Sequence, residues 1–461
     1  MNDREAIAQA LERGWSFAGL HASEGGAVVR TLLVDPDGAT RLETVDAEDG
    51  AVRSIVDLAP AADWDEREAH DLYGVRFDGH EPLRPLVRHD LELDTWTVPV
   101  RGHDPYQVAV GPIHAGVIES GHFRFHLVGE RILHLDARLF YKHRGLERAA
   151  EGSTLERGLA YAARACAACS VSNTIAYAHA CEDALGLDPT PELARVRTIL
   201  LELERSWNHL NDIAAACAGV GLAAGNNRFA ALTERARRLN ARLTGHRFLS
   251  GTVQVGGSSL SIDAAAVCEA RDELTAILAD ARSVWRELLF NASFQDRLPD
   301  IGVVGADDAA RLGAVGPAAR AAGLAADART GAGARLAYDG FAPIFAAHRP
   351  VGDVRARLEQ RALELPQSIE LLGALLDGPI APSDARPRRE ESSIGVGRVE
   401  SPRGATSCVV ERDGNRVTRL RLRTGSYANW PVVAFAAADN MLPDFPLINK
   451  SFELCYACAD R

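Results

Sequence analysis

Two short cysteine pairs constrain this chain more than any other feature. Cys166-Ala-Ala-Cys169 lies in the first half and Cys455-Tyr-Ala-Cys458 near the last residue, with Cys169 and Cys455 286 positions apart. Thiols three residues apart on a helix, or at its start, lie on one face and can share a metal. The helix dipole at such a start also favours the thiolate. One pair alone is commonplace, because buried cysteines are frequent in helices. Two pairs of the same spacing require a fold that brings two distant segments around one ion. Zinc ribbons and fingers do this within a compact module, with a spacer of about 12 to 20 residues, where the metal replaces a missing core. A chain of 461 residues, 47% hydrophobic, needs no such staple. A buried site that joins distant segments suits a cofactor better.

Organisation along the chain points to α+β architecture. Helical spacing over residues 5–12 is followed by apolar strand-like runs at 27–34 and 51–56 separated by Asp/Gly turns. This predicts a small N-terminal α+β domain at residues 1–98, with a boundary in the aperiodic stretch from Val87 to Gln107. A mainly α-helical bundle domain with a small antiparallel sheet is expected over 99–461. Its hairpin alternates Phe123, Phe125 and Leu127 against Ile132, His134 and Asp136. Long helices are expected near 193–213, 230–248, 264–289 and 354–376, and short ones within 302–333. Strands over 398–410 and 416–422 flank Asp413-Gly414-Asn415.

A formal charge of −12 and the lack of a basic run exclude a nucleic-acid partner. Neither a signal peptide nor a membrane-spanning run is readable, so a cytoplasmic chain is expected, docked on a membrane assembly through partners. Cys181, Cys217, Cys268 and Cys408 have no partner at metal spacing and read as small core residues, and His209 reads as a satisfied core histidine. The dense run Glu66, Arg67, Glu68, His70 and Asp71 reads as a solvated or subunit-facing surface. His143, Arg144 and Glu147 suit a structural ion-pair turn as well as a proton relay.

Around the cysteines, further motifs occur in order: Gly111-Pro-Ile-His114, Glu119-Ser-Gly-His-Phe-Arg124, His143-Arg-Gly-Leu-Glu147, Gly316-Pro-x-x-Arg320-x-x-Gly323 and Glu400-Ser-Pro-Arg403-Gly404. Together with the two Cys-x-x-Cys pairs they resemble the large subunit of energy-converting, membrane-bound [NiFe] hydrogenases, the group that includes formate hydrogenlyase. They also resemble the related 49 kDa quinone-site subunit of respiratory complex I. Glu66-Arg-Glu-x-x-Asp71-Leu-Tyr-Gly74 is similar to the 30 kDa subunit of complex I, fused here to the larger unit.

The resemblance implies a Ni-Fe centre with CO and cyanide on iron. Cys166 and Cys455 would be terminal nickel ligands, while Cys169 and Cys458 would bridge to iron; soft thiolates suit nickel. It implies proton relay by Glu119 and an electrostatic role over the open metal face for Arg403. No iron-sulfur cluster is expected in this chain, so a small subunit carrying a [4Fe-4S] cluster is implied. Other electron-transfer and integral membrane subunits would accompany it at the cytoplasmic face, with H2 and protons as substrates. The pattern departs from the family's at Ala167, Asn173, Glu453 and Leu454, all beside the ligands. His114 stands where quinone-site relatives carry their headgroup histidine, whereas Leu155 stands where they carry a tyrosine. A metal-free quinone module and a scaffold with structural zinc are the alternative readings.

Overall fold

The computed structural model describes residues 3–90, 95–101, 104–114, 119–331, 335–345 and 350–461. Parts of the expected 87–107 connection and of the 302–333 segment fall outside them. The N-terminal region begins with α1 (Asp3–Glu12) and an antiparallel meander of β1 (Ser16–Ser23), β2 (Val28–Val34) and β3 (Thr40–Asp46). β4 (Ala51–Arg53) pairs in parallel with β5 (Arg76–Asp78) across α2 (Asp63–Tyr73). Ile7, Leu20, Val29, Leu33, Ile55 and Phe77 form an apolar cluster of their own beneath these elements. Of the strands, β1, β3 and the three-residue β5 go beyond the sequence expectation. β1 is buried on both faces over its last six residues and lacks alternation, and β3 is an edge strand that carries Arg41 and Glu43.

The rest of the chain opens with a second antiparallel meander, β6 (Tyr106–Val110), β7 (His122–Val128) and β8 (Arg131–Arg138). Helices α3 (Leu146–Ala150), α4 (Leu155–Ala163) and α5 (Ser170–Ala184) follow, then the short β9 (Leu187–Pro189). The central helix is α6 (Pro191–Gly219), started by Thr190, whose hydroxyl accepts from the Leu193 amide, and by Pro191 at the first turn. Around it come α7 (Ala223–Thr244), the two-residue β10 (Gly257–Ser258), and α8 (Ala264–Leu289) with its Asp263 cap. Short helices α9 (Ala292–Gln295), α10 (Ala306–Arg311) and α11 (Gly316–Ala321) then lead to α12 (Val354–Leu375). β11 (Ser383–Pro387) joins β9 and β10, and β12 (Ile394–Ser401), β13 (Gly404–Asp413) and β14 (Arg416–Arg423) make a third meander. α13 (Gly425–Ala437), α14 (Phe445–Phe452) and the single-turn α15 (Tyr456–Asp460) complete the order.

The fold is thus broadly α+β, with its strands in several small sheets rather than one beside the bundle. One apolar core runs from Phe123 through Leu200 and Leu274 to Trp430. α5 lies on β12 without side chains between the two backbones. A Cβ on Gly395 would meet the Ala180 carbonyl at 2.1 Å, and one on Gly397 the Ala176 carbonyl at 2.0 Å.

Three sequence expectations are corrected. The 398–410 run is two strands, since Pro402 ends the first and the chain reverses through Arg403 to Gly404. Cys268 is exposed, one position off the buried stripe Val267, Ala270 and Leu274 of α8. The charged run on α2 is not a hydrated surface, for Asp65, Glu66, Arg67 and Glu68 are all buried. Asp65 accepts from Arg421 and Arg423 of β14 at 2.8 and 3.0 Å, and Glu66 binds His80, Ser54 and the Ile55 amide. Arginines distant in sequence neutralise Asp65 and Glu68, and His80 pairs with Glu66, so burial leaves no unpaired charge.

Candidate metal centre

All four cysteines meet. The sulfurs of Cys166, Cys169, Cys455 and Cys458 lie within 4.8 Å of one another, with Cys169 and Cys455 at 4.0 Å, and all four are buried. The first pair sits where α4 breaks and α5 begins, with Cys169 as the residue before the first turn. Glu204 of α6 fixes that start by accepting from the Val171 and Ser172 amides at 2.6 and 3.0 Å. Burial pushes Glu204 up to about 7 against the pull of these bonds.

The second pair is carried by α15. A five-residue helix has too few internal bonds to hold itself. It is tied down from outside: Ser426 accepts from the Cys455 amide, Glu119 from the Ala457 amide, and Thr424 donates to the Cys458 carbonyl. Asp460 accepts from the Phe140 and Lys142 amides. Arg144 links both cysteine segments, its guanidinium donating to the Arg164 and Ala165 carbonyls while its amide donates to the Arg461 carbonyl. His143 binds the Asp460 carbonyl. Glu147 is buried against Arg419 and Arg461, with Arg421 at 3.7 Å. The His143–Glu147 motif is therefore a structural clasp.

Hydrogen bonding among the four thiols lowers the Cys455 thiol well below its ordinary range, with the Arg403 charge adding to this. The same bonding raises Cys169 and Cys458. Arg403 reaches this cluster from the β12–β13 turn. Its guanidinium donates to Asp212 at 2.5 Å and to Asn208 at 3.1 Å, both on α6. Arg205 holds the turn itself through the Glu400 and Ser401 carbonyls, and Gly404 packs against Gly316, where a Cβ on Gly316 would stand 2.4 Å from the Gly404 Cα. Two separate glycine motifs are one contact.

A cavity of about 270 Å³ opens beside the sulfurs, lined by Glu119, Cys166, Cys455, Arg403, Glu453 and Trp207 among others. Cys169 and Cys458 do not line it. Burial and the Cys455 thiol raise Glu119 above its ordinary range. Burial, with Asp212 nearby, pushes Glu453 up to about 8, and its Oε2 has no partner among the described residues. Asn173 approaches the Cys458 sulfur at 3.9 Å through its amide nitrogen. His114 is exposed in the β6–β7 connection and is not among the residues lining the cavity. His209, buried as expected, binds Glu364 at 3.2 Å.

Sequence reasoning missed Asn208 and Asp212. They fall with Arg205 and His209 on a polar stripe at three- and four-residue spacing along α6, an otherwise apolar buried helix, and that stripe is visible in the sequence.

Fold and site define a mixed helix-and-strand protein with a thiol-lined pocket. The chain belongs to the family of the respiratory-chain NADH dehydrogenase 49 Kd subunit, which it matches over residues 223–383 and 386–461. Residues 16–108 match the 30 Kd subunit of the same enzyme. It is 29% identical to formate hydrogenlyase subunit 5 of Escherichia coli (strain K12) over 90% of this chain and 78% of that protein. Identity to the membrane-bound hydrogenase subunit alpha of Pyrococcus furiosus is also 29%, over 77% of this chain and 87% of the relative. A chain of the membrane-bound sulfane sulfur reductase, an archaeal respiratory membrane complex, superposes with a TM-score of 0.71 at 25% identity, covering 78% of this chain and 99% of that one. The protein is an oxidoreductase subunit, related to hydrogenase and NADH-quinone oxidoreductase subunits. No helix among the described residues is long and apolar enough to cross a membrane.

Proposed function

We propose that this chain is the catalytic large subunit of a membrane-associated [NiFe] hydrogenase complex, with residues 1–98 as its 30 Kd-like unit and 99–461 as its catalytic unit. The observation that carries this reading is the opening of the four-thiol cluster onto a cavity bordered by Arg403 and Glu119. A structural zinc site is closed on all sides by its ligands, whereas a catalytic centre keeps a position accessible. Four soft thiolates fit nickel and iron, and the two that line the cavity, Cys166 and Cys455, suit terminal nickel ligands. Cys169 and Cys458, set behind them, suit bridges to an iron carrying CO and cyanide.

When bound, such a centre supplies the Lewis acidity and redox change that split H2 into two protons and two electrons. The chain supplies the rest. Arg403 keeps a fixed positive charge at the cavity wall, held in place by Asp212 and Asn208. Glu119, raised by burial and by the Cys455 thiol, takes up and releases the proton at its carboxylate. A [4Fe-4S] cluster in a small-subunit partner would accept the electrons, and membrane subunits would complete the assembly at the cytoplasmic face.

The test is metal analysis and infrared spectroscopy on the complex made with its maturation machinery. One nickel per large subunit, with iron in at least fivefold excess because the partner's cluster adds four, and infrared bands from CO and cyanide are expected, and Cys455→Ser abolishes hydrogen turnover. Zinc alone sinks the proposal in favour of a scaffold. Quinone reduction by a complex whose large subunit holds no metal sinks it in favour of a complex I-like module.

A further inference from the structure

Arg461 follows α15 by one residue and is buried, and its guanidinium spans two parts of the molecule. It donates to both oxygens of Glu68 at 2.7 and 2.6 Å and to the Leu422 carbonyl, lies 3.2 Å from Glu147, and stacks over Tyr427 at 4.6 Å. Every other tether of α15 described above comes from residues beyond the 30 Kd match. Glu68 alone belongs to that N-terminal region, on α2. It is buried and also accepts from Arg421 at 2.7 Å. A single-turn helix takes its position from its tethers, and here one guanidinium nitrogen, Nη2, reaches both Glu68 oxygens in a buried charge-assisted contact.

We infer that Glu68 is a positioning residue for the second cysteine pair: the docked N-terminal unit grips Arg461 and so sets the Cys455 and Cys458 sulfurs against those of Cys166 and Cys169. The unit is thereby part of the metal centre's construction. The metal reading enters only through the second readout below.

The full-length chain, stripped of metal by a chelator under reducing conditions, is treated with N-ethylmaleimide, and labelling of each cysteine is followed by peptide mass spectrometry. In Glu68→Gln, Cys455 and Cys458 label at least about tenfold faster than in the wild type, because a local opening has become easier. Cys181, Cys217 and Cys408, buried elsewhere, keep their rates. Asp65→Asn cuts contacts to Arg421 and Arg423 from the same helix without touching Arg461, and keeps the wild-type pattern. An unchanged Cys458 rate in Glu68→Gln overturns the proposal, and so does equal acceleration in Asp65→Asn. If Glu68→Gln opens every buried thiol together, Arg461→Lys decides, since it keeps a cation and leaves the Glu68–Arg421 pair intact. Selective labelling of Cys455 and Cys458 then supports the proposal, and its absence overturns it. In the loaded complex, nickel loss to a chelator rises in the same order of variants. A wild-type chain that takes no nickel defeats the metal reading, while the thiol pattern still decides the role of Glu68.

Discussion

Asp212→Asn is the sharpest test of the electrostatics at the site. In the wild type one buried carboxylate oxygen accepts from Arg403 at 2.5 Å and from Arg361 at 2.9 Å. Burial pushes this carboxyl up, but Arg403, His209 and Arg361 outweigh it and hold the group below its ordinary range, so it is charged at neutral pH. The amide keeps the shape and loses the charge, leaving two guanidinium ions facing each other. With charge centres about 4 Å apart and an effective dielectric near 20, each lost attraction is worth about 4 kcal/mol. Residual hydrogen bonding and relaxation bring the net cost to about 3 to 5 kcal/mol, the range for removing one partner of a buried pair. Unfolding entropy of about 2.1 cal/mol/K per residue gives about 1 kcal/mol/K for this chain, so Tm should fall by about 3 to 5 °C in scanning calorimetry. The companion Arg403→Met removes one of the unpaired cations, and the double variant should therefore lose less than the sum of the two singles. A Tm drop under about 1 °C, or strictly additive losses, refutes the reasoning.

Glu119→Gln should reduce hydrogen turnover by about 10²- to 10⁴-fold while nickel and iron contents stay at wild-type levels, measured as H2 production together with metal analysis. His80, set between Asp63 and Glu66, is raised to about 9; burial opposes the shift and the two carboxylates overcome it. A raised folded-state value means that this stability is full below the unfolded value near 6.5 and is lost as pH climbs through 9. Tm of the wild type should therefore fall over that window relative to His80→Gln, and parallel profiles would contradict the assignment. Phe123→Ala removes a fully buried ring that packs on Trp430, Phe445 and Tyr456, and should cost about 3 to 5 kcal/mol by urea unfolding.

Local patterns were readable and long-range partners were not. The long helices follow from apolar spacing; α8 matches its expected range because Asp263 caps it and its buried stripe is regular. The sulfur cluster was legible because Cys-x-x-Cys spacing is itself a geometric statement. The α2 acids misled because charge density is local, whereas the neutralising arginines arrive from β14 and Arg461, more than 350 positions away. The complementary signal existed: Arg419, Arg421 and Arg423 alternate along β14 and so share one face. The strand pattern alone runs through the turn at Arg403, although Pro402 and Gly404 on either side of it mark the reversal. Asp212 was passed over because a polar residue on a long apolar helix reads as solvent-facing until its neighbours are known.

The bare contact of α5 with β12 separates the two halves of the site mechanically. At Gly395 and Gly397 the helix touches the strand through main-chain atoms, so even a methyl group would lift the helix away and carry Cys169 with it. Cys169 stands on this main-chain contact, whereas Cys455 and Cys458 owe their place to side-chain tethers on a single-turn helix. A side chain added at Gly395 or Gly397 should therefore displace Cys169 while the tethers of Cys455 and Cys458 stay in place.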